Sequence, residues 1–218
     1  NHVLHYPQRS LASSRFLHYI NRERLNYGTN VLVAIMCYGG YNIEDAILFN
    51  KQSVARGLFH SSYYFTEEVT EKGGTSGSAR ESVVIGRHPD VPRAATGCQY
   101  DKLDTDAQQR GVLPDTFVDK PVAENDVLIE AYEEKREGAD QRSFTDYRRV
   151  ASKAAVVDQV FLSDGQVGRR VGKVTLRTVR VPTIGDKFAS RCGQKGTLGA
   201  LVDEEDMPYV GEGPDSAF

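Results

Sequence analysis

The apolar positions of the chain fall mostly in short runs, and few of them recur at helical spacing. Two uninterrupted runs, Val31–Met36 and Ala46–Phe49, predict strands, and the first predicts a strand buried on both faces. The glycine-containing loop between them presents Glu44 and Asp45. Because two buried strands hold such a loop rigidly, the pattern indicates a site as well as a core.

Helical signals are brief. Asn50 predicts the N-cap of a short helix over Lys51–Arg56, and Gly57 predicts its end. The segment from Ser14 to Leu25 predicts either a short amphipathic helix or an irregular segment with a basic face. The expected fold is therefore mixed and mostly β, of the α+β class.

The middle of the chain mixes strand signals with polar stretches. Val127–Tyr132 is strongly strand-like, whereas the charged run Glu133–Asp146 predicts a solvated loop. Ala155–Leu162 and Val171–Arg180 predict two strands of a hairpin that turns around Asp164-Gly165.

Composition changes this picture only through the distribution of charge. With 218 residues, 39% hydrophobic and 26% charged, the chain is typical of one or two globular domains. The net charge of −3 conceals a basic region, because residues 1–60 hold six Lys or Arg and three acids. Residues 200–218 hold six acids and no base. The basic region suits a polyanionic partner.

The three cysteines, Cys37, Cys98 and Cys192, are far apart and form no CxxC pair. Neither a zinc site nor a disulfide framework is expected, and a reducing compartment is the natural environment. No apolar run reaches the length of a membrane span, so no membrane partner is expected.

The run Val181–Gly199 carries the clearest candidate chemistry. Lys187 and Lys195 each stand close to glycine, and Arg191 lies between them with Asp186 as the single acid of the run. Glycine beside lysine lets a phosphate bind peptide N–H groups and an ammonium together. The alternative is a solvated basic loop whose glycines serve only for turning.

Glu44 and Asp45 are adjacent hard oxygen donors. Mg²⁺ commonly binds one or two carboxylates together with substrate phosphates, so the pair is a candidate ligand for a magnesium ion. The alternative is an ordinary acidic pair on the surface.

Several motifs resemble one family when taken in order. They are Tyr6-Pro7-Gln8, the run Val31–Phe59 with its GYNIED, YDKLD at Tyr100–Asp104, the lysine run GDKFASRCGQKGTLG, and Glu205-Asp206-Met207-Pro208. Together they resemble the second-largest subunit of multisubunit DNA-directed RNA polymerases, the family that includes bacterial β. The likeness covers essentially the whole chain, loosely between about Phe65 and Val171.

The resemblance implies a domain plan. Residues 1–60 and 181–218 would be two parts of a hybrid-binding domain, and residues 61–180 would be a wall or flap inserted into it. The chain is expected to be an internal fragment of a much longer polypeptide. The GDKFASR and EDMP motifs resemble those of eukaryotic or archaeal members, and a large DNA virus is an alternative source.

The resemblance also implies residue roles. Lys187 and Lys195 would be catalytic through contact with the RNA 3′ end or substrate phosphates, and Arg191 and Gln194 would bind substrate or nucleic acid. Arg191 has the alternative of a structural ion pair. Asp45, with Glu44, would support the second magnesium ion of a two-metal site. The aspartates for the first ion would belong to the largest subunit, so the chain would act only with that partner.

Further expectations concern nucleic acid. Arg9, Arg15, Arg22 and Arg24 are candidates to follow the backbone of an RNA–DNA hybrid, with solvated surface arginines as the alternative. The expected partners are the largest subunit, other polymerase subunits, template DNA, the hybrid and ribonucleoside triphosphates.

Two departures from the family pattern stand out. Cys192 occupies a position that is usually histidine, and Gly39 replaces a more usual serine. The family's downstream arginine motif and zinc-binding carboxyl terminus lie beyond this sequence, so no zinc site is expected within it.

The expected activity is template-directed RNA synthesis by a nucleotidyltransferase. A non-catalytic nucleic-acid-binding module is the alternative, whereas an independent nucleotide-binding enzyme is excluded because Gly172-Lys173 lacks the rest of a P-loop. The expected location is the nucleus for a eukaryotic source, or the virion or host cell for a viral one.

Overall fold

The computed structural model describes residues 1–21, 24–73, 80–91, 97–103, 110–137, 141–164 and 169–209. The fold is mostly β, as predicted. In chain order the elements are β1 (His2–Leu4), β2 (Ala46–Asn50), α1 (Lys51–Ala55), β3 (Ser61–Thr70), β4 (Arg80–Ile85), β5 (Pro121–Val122), β6 (Val127–Ile129), β7 (Ala131–Glu137), β8 (Gln141–Asp146), β9 (Arg149–Val150), β10 (Ala155–Asp164), β11 (Arg170–Arg180), β12 (Lys187–Ala189) and β13 (Lys195–Val202), with short 3₁₀ turns at Asp115–Phe117 and Glu204–Asp206.

Contacts divide the chain into two compact units. Unit 1 comprises Asn1 and Tyr64–Thr178, and unit 2 comprises His2–Tyr63 and Val179–Phe218. The wall or flap identity of the middle section, and the hybrid-binding identity of its flanks, remain predictions.

Unit 1 is organised around the long antiparallel pair β10–β11, which confirms the predicted strands. Strand β3 adjoins β11 and β5 adjoins β10. Alternate residues of β11 point into the core, where Val174 and Leu176 are completely buried beside Val157 of β10. The predicted turn falls partly outside the described residues, because Asp164 ends β10 and residues 165–168 are not described.

The strand signal at Val127–Tyr132 divides into two strands. Strand β6 pairs with β9, and β7 begins after Glu130 and pairs with β4 and β8. The prediction of a solvated loop over Glu133–Asp146 is wrong, because most of this run forms the β7–β8 hairpin. Its charges are compensated within the sheet, since Glu134 accepts a hydrogen bond from Arg136 at 2.9 Å.

A carboxylate clamp ties three parts of unit 1 together. Glu71 accepts hydrogen bonds from the backbone N–H of Ile85 at 2.9 Å and of Arg170 at 2.8 Å, and from the Arg170 guanidinium. Burial opposes ionisation of Glu71, but the bonds from Arg170 and Ile85 outweigh it and hold the pKa of this carboxyl below its usual value.

Unit 2 contains the three-stranded sheet β12-β13-β2, in which β13 and β2 are parallel. Strand β1 pairs with Ser61–Tyr63 at the start of β3. The cap prediction is confirmed, because the Asn50 side chain accepts from the N–H groups of Gln52 and Ser53 at the start of α1. Gly57 follows the helix with φ of 112°.

The prediction of a buried strand at Val31–Met36 is wrong in this structure. The segment forms no strand, and Ile35 is 98% exposed and Leu32 74% exposed. An uninterrupted apolar run is buried as a strand only where neighbours cover both of its faces, and no described strand pairs with this one. The segment from Ser14 to Asn21 forms consecutive turns, which matches the irregular alternative.

Candidate functional site

The two candidate lysines lie on one antiparallel hairpin, here called the lysine hairpin (Lys187–Thr197). Strand β12 pairs with β13 so that Lys187 is opposite Thr197 and Ala189 is opposite Lys195. Opposite residues share a face and successive residues alternate, so both lysines project from the same face. Their positions are diagonal neighbours, for which Cα atoms lie about 7–8 Å apart. The sheet therefore concentrates two positive charges on one surface.

Both lysines begin strands, whereas the sequence had predicted glycine-flanked turns around each of them. Gly196 is buried, and a Cβ at this position would lie 2.8 Å from Ile47 Cγ2 and 3.0 Å from the Asp45 carbonyl oxygen. Its missing side chain therefore allows close packing inside unit 2. The role of glycine in ligand access, inferred from the sequence, remains a prediction.

The turn before Lys187 is organised by Asp186. Its carboxylate accepts from the Thr183 backbone N–H at 3.0 Å and pairs with Arg180. The Thr183 hydrogen bond and the Arg180 guanidinium, acting against partial burial, hold the pKa of Asp186 below its usual value. Asp186, the single acid of the lysine run, therefore bonds to Thr183 and Arg180.

The tip of the hairpin exposes Arg191, Cys192 and Gln194. The Ser190 N–H donates to the Gln194 carbonyl at 3.0 Å, which closes the loop, and Gly193 has φ of 87°. No ion pair of Arg191 occurs among the described residues, so its structural alternative finds no support there.

The candidate carboxylates lie at the end of a backbone loop here called the acid loop (Cys37–Asp45). Glu44 and Asp45 both have positive φ, 52° and 64°, and Gly39 and Gly40 have φ of 54° and 79°. Positive φ is unusual for glutamate and costs about 1–2 kcal/mol per residue. Such conformations persist only where surrounding contacts enforce them, and they are concentrated at functional sites.

The Ala46 N–H donates to the Ile43 carbonyl at 3.1 Å and closes the turn over Glu44 and Asp45. Asn42 closes the earlier part of the acid loop, around Gly39 and Gly40, a role that the sequence did not reveal. Its side-chain oxygen accepts from the Tyr38 N–H at 3.0 Å, and its amide donates to the Met36 carbonyl at 2.7 Å. The Tyr38 hydroxyl in turn donates to the Asp206 carbonyl. An asparagine after glycines is a signal for local side-chain to backbone bonding. That signal does not reveal the partner at Asp206.

The acid loop and the lysine hairpin meet within unit 2. The Thr197 N–H donates to the Asp45 carbonyl at 2.9 Å, and from this point β13 runs parallel to β2, with Thr197 opposite Ala46. Thr197 also lies opposite Lys187. One residue therefore contacts both candidate segments through the backbone, although they lie far apart in sequence.

The charged side chains at this junction are all exposed: Glu44, Asp45, Lys187, Arg191 and Lys195. None of them takes part in an ion pair among the described residues. Two exposed carboxylates fit the oxygen-donor chemistry of Mg²⁺ and leave other positions for substrate and water. In the described ranges, no three His, Cys, Asp or Glu side chains are grouped to hold a metal ion. Further donors would have to come from substrate or partner.

The positions of the amino-terminal arginines do not test their predicted contacts with nucleic acid. Arg9, Arg15 and Arg24 are exposed in unit 2, whereas Arg22 lies outside the described residues. Their nucleic-acid contacts remain a prediction. No helix in the described part of the chain has the length and apolar character needed to span a membrane.

Comparisons with known proteins agree with the resemblance in the motifs. The family model described as RNA polymerase Rpb2, domain 6, matches residues 1–215. The chain is 37% identical to DNA-directed RNA polymerase II subunit RPB2 of Schizosaccharomyces pombe, covering 97% of this chain and 17% of that subunit. It is 36% identical to subunit Rpo2 of Saccharolobus solfataricus, covering 97% and 19%.

A plant relative gives the same result. The chain is 36% identical to DNA-directed RNA polymerase II subunit 2 of Arabidopsis thaliana, over 97% of this chain and 18% of the relative. The chain thus spans under one fifth of the length of these relatives. These relatives are eukaryotic and archaeal, which agrees with the resemblance of the GDKFASR and EDMP motifs. The chain therefore belongs to the family of RNA polymerase Rpb2, domain 6, from the second subunit of DNA-directed RNA polymerases.

Proposed function

We propose that this chain contributes phosphate-binding and metal-supporting groups to DNA-templated RNA synthesis, as part of a second-largest polymerase subunit that acts with the largest subunit. The observation that carries the proposal is the junction at Thr197, where the acid loop and the lysine hairpin join one sheet. Family membership supports the polymerase class.

In the proposed reaction, the RNA 3′ oxygen attacks the α-phosphorus of a ribonucleoside triphosphate. A phosphodiester bond forms, and pyrophosphate leaves. Negative charge accumulates on the phosphate oxygens, and Lys187 and Lys195 neutralise it from one face of the hairpin. The strands fix the backbone positions of both lysines before substrate arrives, which reduces the reorganisation required at the moment of reaction.

Asp45 and Glu44 would hold the second Mg²⁺, with Asp45 as the principal ligand. When bound, that ion binds the triphosphate and stabilises the leaving group. The chain's own contribution is to orient two carboxylates by a strained backbone, which is held by the Ala46 to Ile43 backbone bond and by the Thr197 N–H on the Asp45 carbonyl. Arg191 and Gln194 would contact substrate or nucleic acid from the hairpin tip.

The proposed partners are the largest subunit, other polymerase subunits, template DNA, the RNA–DNA hybrid and ribonucleoside triphosphates. Exposed Arg9, Arg15 and Arg24 would follow the hybrid backbone through phosphate contacts. The proposed location is the nucleus for a eukaryotic source and the virion or host cell for a viral one.

The test is RNA extension by the assembled polymerase that contains the full-length subunit. Lys195→Ala and Asp45→Ala are each expected to slow nucleotide addition about a hundredfold, the usual loss when one preorganised electrostatic group is removed. Asp45→Ala should also raise the Mg²⁺ concentration needed for half-maximal rate. Subunit assembly and hybrid binding are measured in parallel.

Lys173→Ala on β11 and Glu68→Ala on β3 serve as matched controls, because these two residues of unit 1 form an ion pair with each other and their side chains are 41% and 45% exposed. The controls should extend RNA at normal rates. Near-normal extension by Lys195→Ala and Asp45→Ala would contradict the proposal and favour a non-catalytic nucleic-acid-binding module.

A further inference from the structure

Three phenylalanines form a cluster in unit 2, here called the aromatic trio (Phe49, Phe59 and Phe188). The Phe188 ring centroid lies 4.7 Å from that of Phe49 and 5.0 Å from that of Phe59, and Phe49 and Phe59 are 5.6 Å apart. These separations fall in the range at which aromatic pairs attract each other beyond simple burial of area. The trio joins β2, the segment after α1 and β12.

The trio lies on the opposite side of the lysine hairpin from its two lysines. Phe188 stands between Lys187 and Ala189 in β12, so its side chain projects from the other face. Phe188 lies directly opposite Gly196, which carries no side chain. The next residue on this face of β13 is Leu198, which is completely buried. The hairpin is thus apolar on one face and cationic on the other.

Gly196 connects this apolar face with the acid loop. A Cβ there would press on Ile47 of β2 and on the Asp45 carbonyl oxygen, so the glycine lets β13 lie close to both. Ile47 of β2 fills the space beside Gly196, and Phe188 packs on Phe49 of the same strand. Phe188 therefore supports the register that places Lys187 opposite Thr197, whose N–H binds Asp45.

The short length of β12 makes such an anchor necessary. The strand has three residues, it is at the edge of its sheet, and both Lys187 and Ala189 are exposed. Phe188 is the one residue of β12 whose side chain is partly buried. Without the ring, β12 would depend on its backbone hydrogen bonds to β13 and on the Asp186 turn. The like charges of Lys187 and Lys195 repel each other on the other face of the hairpin.

The geometry points to Phe188 as a positioning residue: through the aromatic trio it fixes the separation and direction of Lys187 and Lys195 for phosphate contact. The inference rests on the proposed function. It assigns to Phe188 an effect on catalysis that passes through the lysines, without any contact between its ring and the substrate.

The experiment measures single-nucleotide addition by the assembled polymerase with the full-length subunit. Phe188→Leu keeps an apolar side chain but removes the ring, and it is expected to slow addition about tenfold, since small displacements of positioned groups have effects of this size or larger. The same substitution in a Lys187→Ala, Lys195→Ala background should slow addition less than about twofold, because residues that act through one another are not additive.

Phe161→Leu on β10 of unit 1 is the matched control and should leave the rate of each background unchanged. An equal fold-loss for Phe188→Leu in both backgrounds would overturn the inference, since a general structural defect is additive with the lysine substitutions. Normal addition by Phe188→Leu would overturn it as well.

Two further outcomes are distinguished. If the subunit with Phe188→Leu fails to assemble, Phe59→Leu is used instead, because it removes a ring of the same trio outside the hairpin. Its fold-loss is then compared between the parent and the lysine double variant. If the lysine double variant itself extends RNA normally, the proposed function fails. If the lysine variants are slow and Phe188→Leu causes the same fold-loss in both backgrounds, only the positioning role of Phe188 fails.

Discussion

The two units of this chain bury their apolar residues to very different extents. Unit 1 contains the continuous core, with residues such as Val127, Leu128, Val157, Val174 and Leu176 completely buried. In unit 2, the buried large apolar side chains among the described residues are Val54 and Leu198. Its exposed large apolar residues include Leu11, Phe16, Tyr19, Ile20, Leu25, Tyr27, Leu32, Val33, Ile35, Tyr41 and Ile43.

The packed core that stabilises a fold lies in unit 1, whereas the candidate functional residues lie in unit 2. Unit 1 has the features of a self-sufficient scaffold, with a packed core and the Glu71 clamp. Unit 2 carries the candidate chemistry on an exposed face and holds it by a few specific contacts: the Thr197–Asp45 bond, the aromatic trio and Asn42. Exposed apolar surface of this extent usually marks a surface covered by another protein segment.

Core truncation is expected to show the largest effect. Leu176→Ala should reduce the free energy of unfolding by about 2–5 kcal/mol, because it leaves a cavity in the core of unit 1. Leu32→Ala in unit 2 should change it by less than about 0.5 kcal/mol, because the side chain is exposed. Denaturant unfolding of the chain measures both. Equal losses would show that Val31–Met36 is covered and would break the comparison.

Glycine substitution tests close packing in both units. Gly172→Ala in unit 1 places a Cβ 2.9 Å from Val112 Cγ2, and Gly196→Ala in unit 2 places one 2.8 Å from Ile47 Cγ2. Each is expected to cost about 1–3 kcal/mol as overpacking. Only Gly196→Ala should also slow RNA extension by the assembled polymerase, because it separates β13 from Asp45. A similar slowing by Gly172→Ala would contradict the local role of Gly196.

The Glu71 clamp makes part of unit 1's stability depend on pH. Since the folded-state pKa of Glu71 is depressed, its contribution is fully present above the ordinary value of 4.5 and is lost as the pH falls through the folded-state pKa. Glu71→Gln should reduce the free energy of unfolding by about 1–3 kcal/mol at neutral pH. The free energy of unfolding of this variant should also decrease less on acidification than that of the parent. Unfolding measured from pH 7 to pH 3 would decide. A parallel acid profile for the variant and the parent would exclude Glu71 as the cause.

The smallest effect is expected at the surface of unit 2. Arg56 pairs with Glu204 at 2.9 Å and Lys51 with Asp203 at 3.0 Å, which joins α1 to the turn that follows β13. These pairs are solvent-exposed, so Arg56→Ala should lower the melting temperature only slightly, and added salt should remove the difference. A loss as large as that of Gly196→Ala would show that these ion pairs, rather than packing, hold unit 2 together.

Features with local signals were predicted well from the sequence. The Asn50 cap, β2 and the pair β10–β11 each depend on residues that are close in the chain. The charge run that forms β7 and β8 was wrongly predicted, because ion pairs such as Arg142–Glu134 and Lys135–Glu81 form only after the strands pair. Val31–Met36 was wrongly predicted because burial depends on neighbours rather than on the run itself.

The candidate site shows the same limit. The residue types and the glycines predicted phosphate and metal chemistry at Lys187, Lys195, Glu44 and Asp45. Spacing along the chain does not reveal that Thr197 links these segments or that Phe188 packs beneath the lysines, since both follow from strand register. Family motifs locate the residues, and register decides which of them share a face.

Exposure of Val31–Met36 has a practical consequence for anyone producing this chain by itself. The segment is six apolar residues long, without charge, proline or glycine, and its backbone forms no sheet. Such a segment is a template for strand pairing between copies, and it promotes aggregation that increases with concentration. Leu32→Lys should act as a gatekeeper and extend the range of concentrations over which the chain does not aggregate.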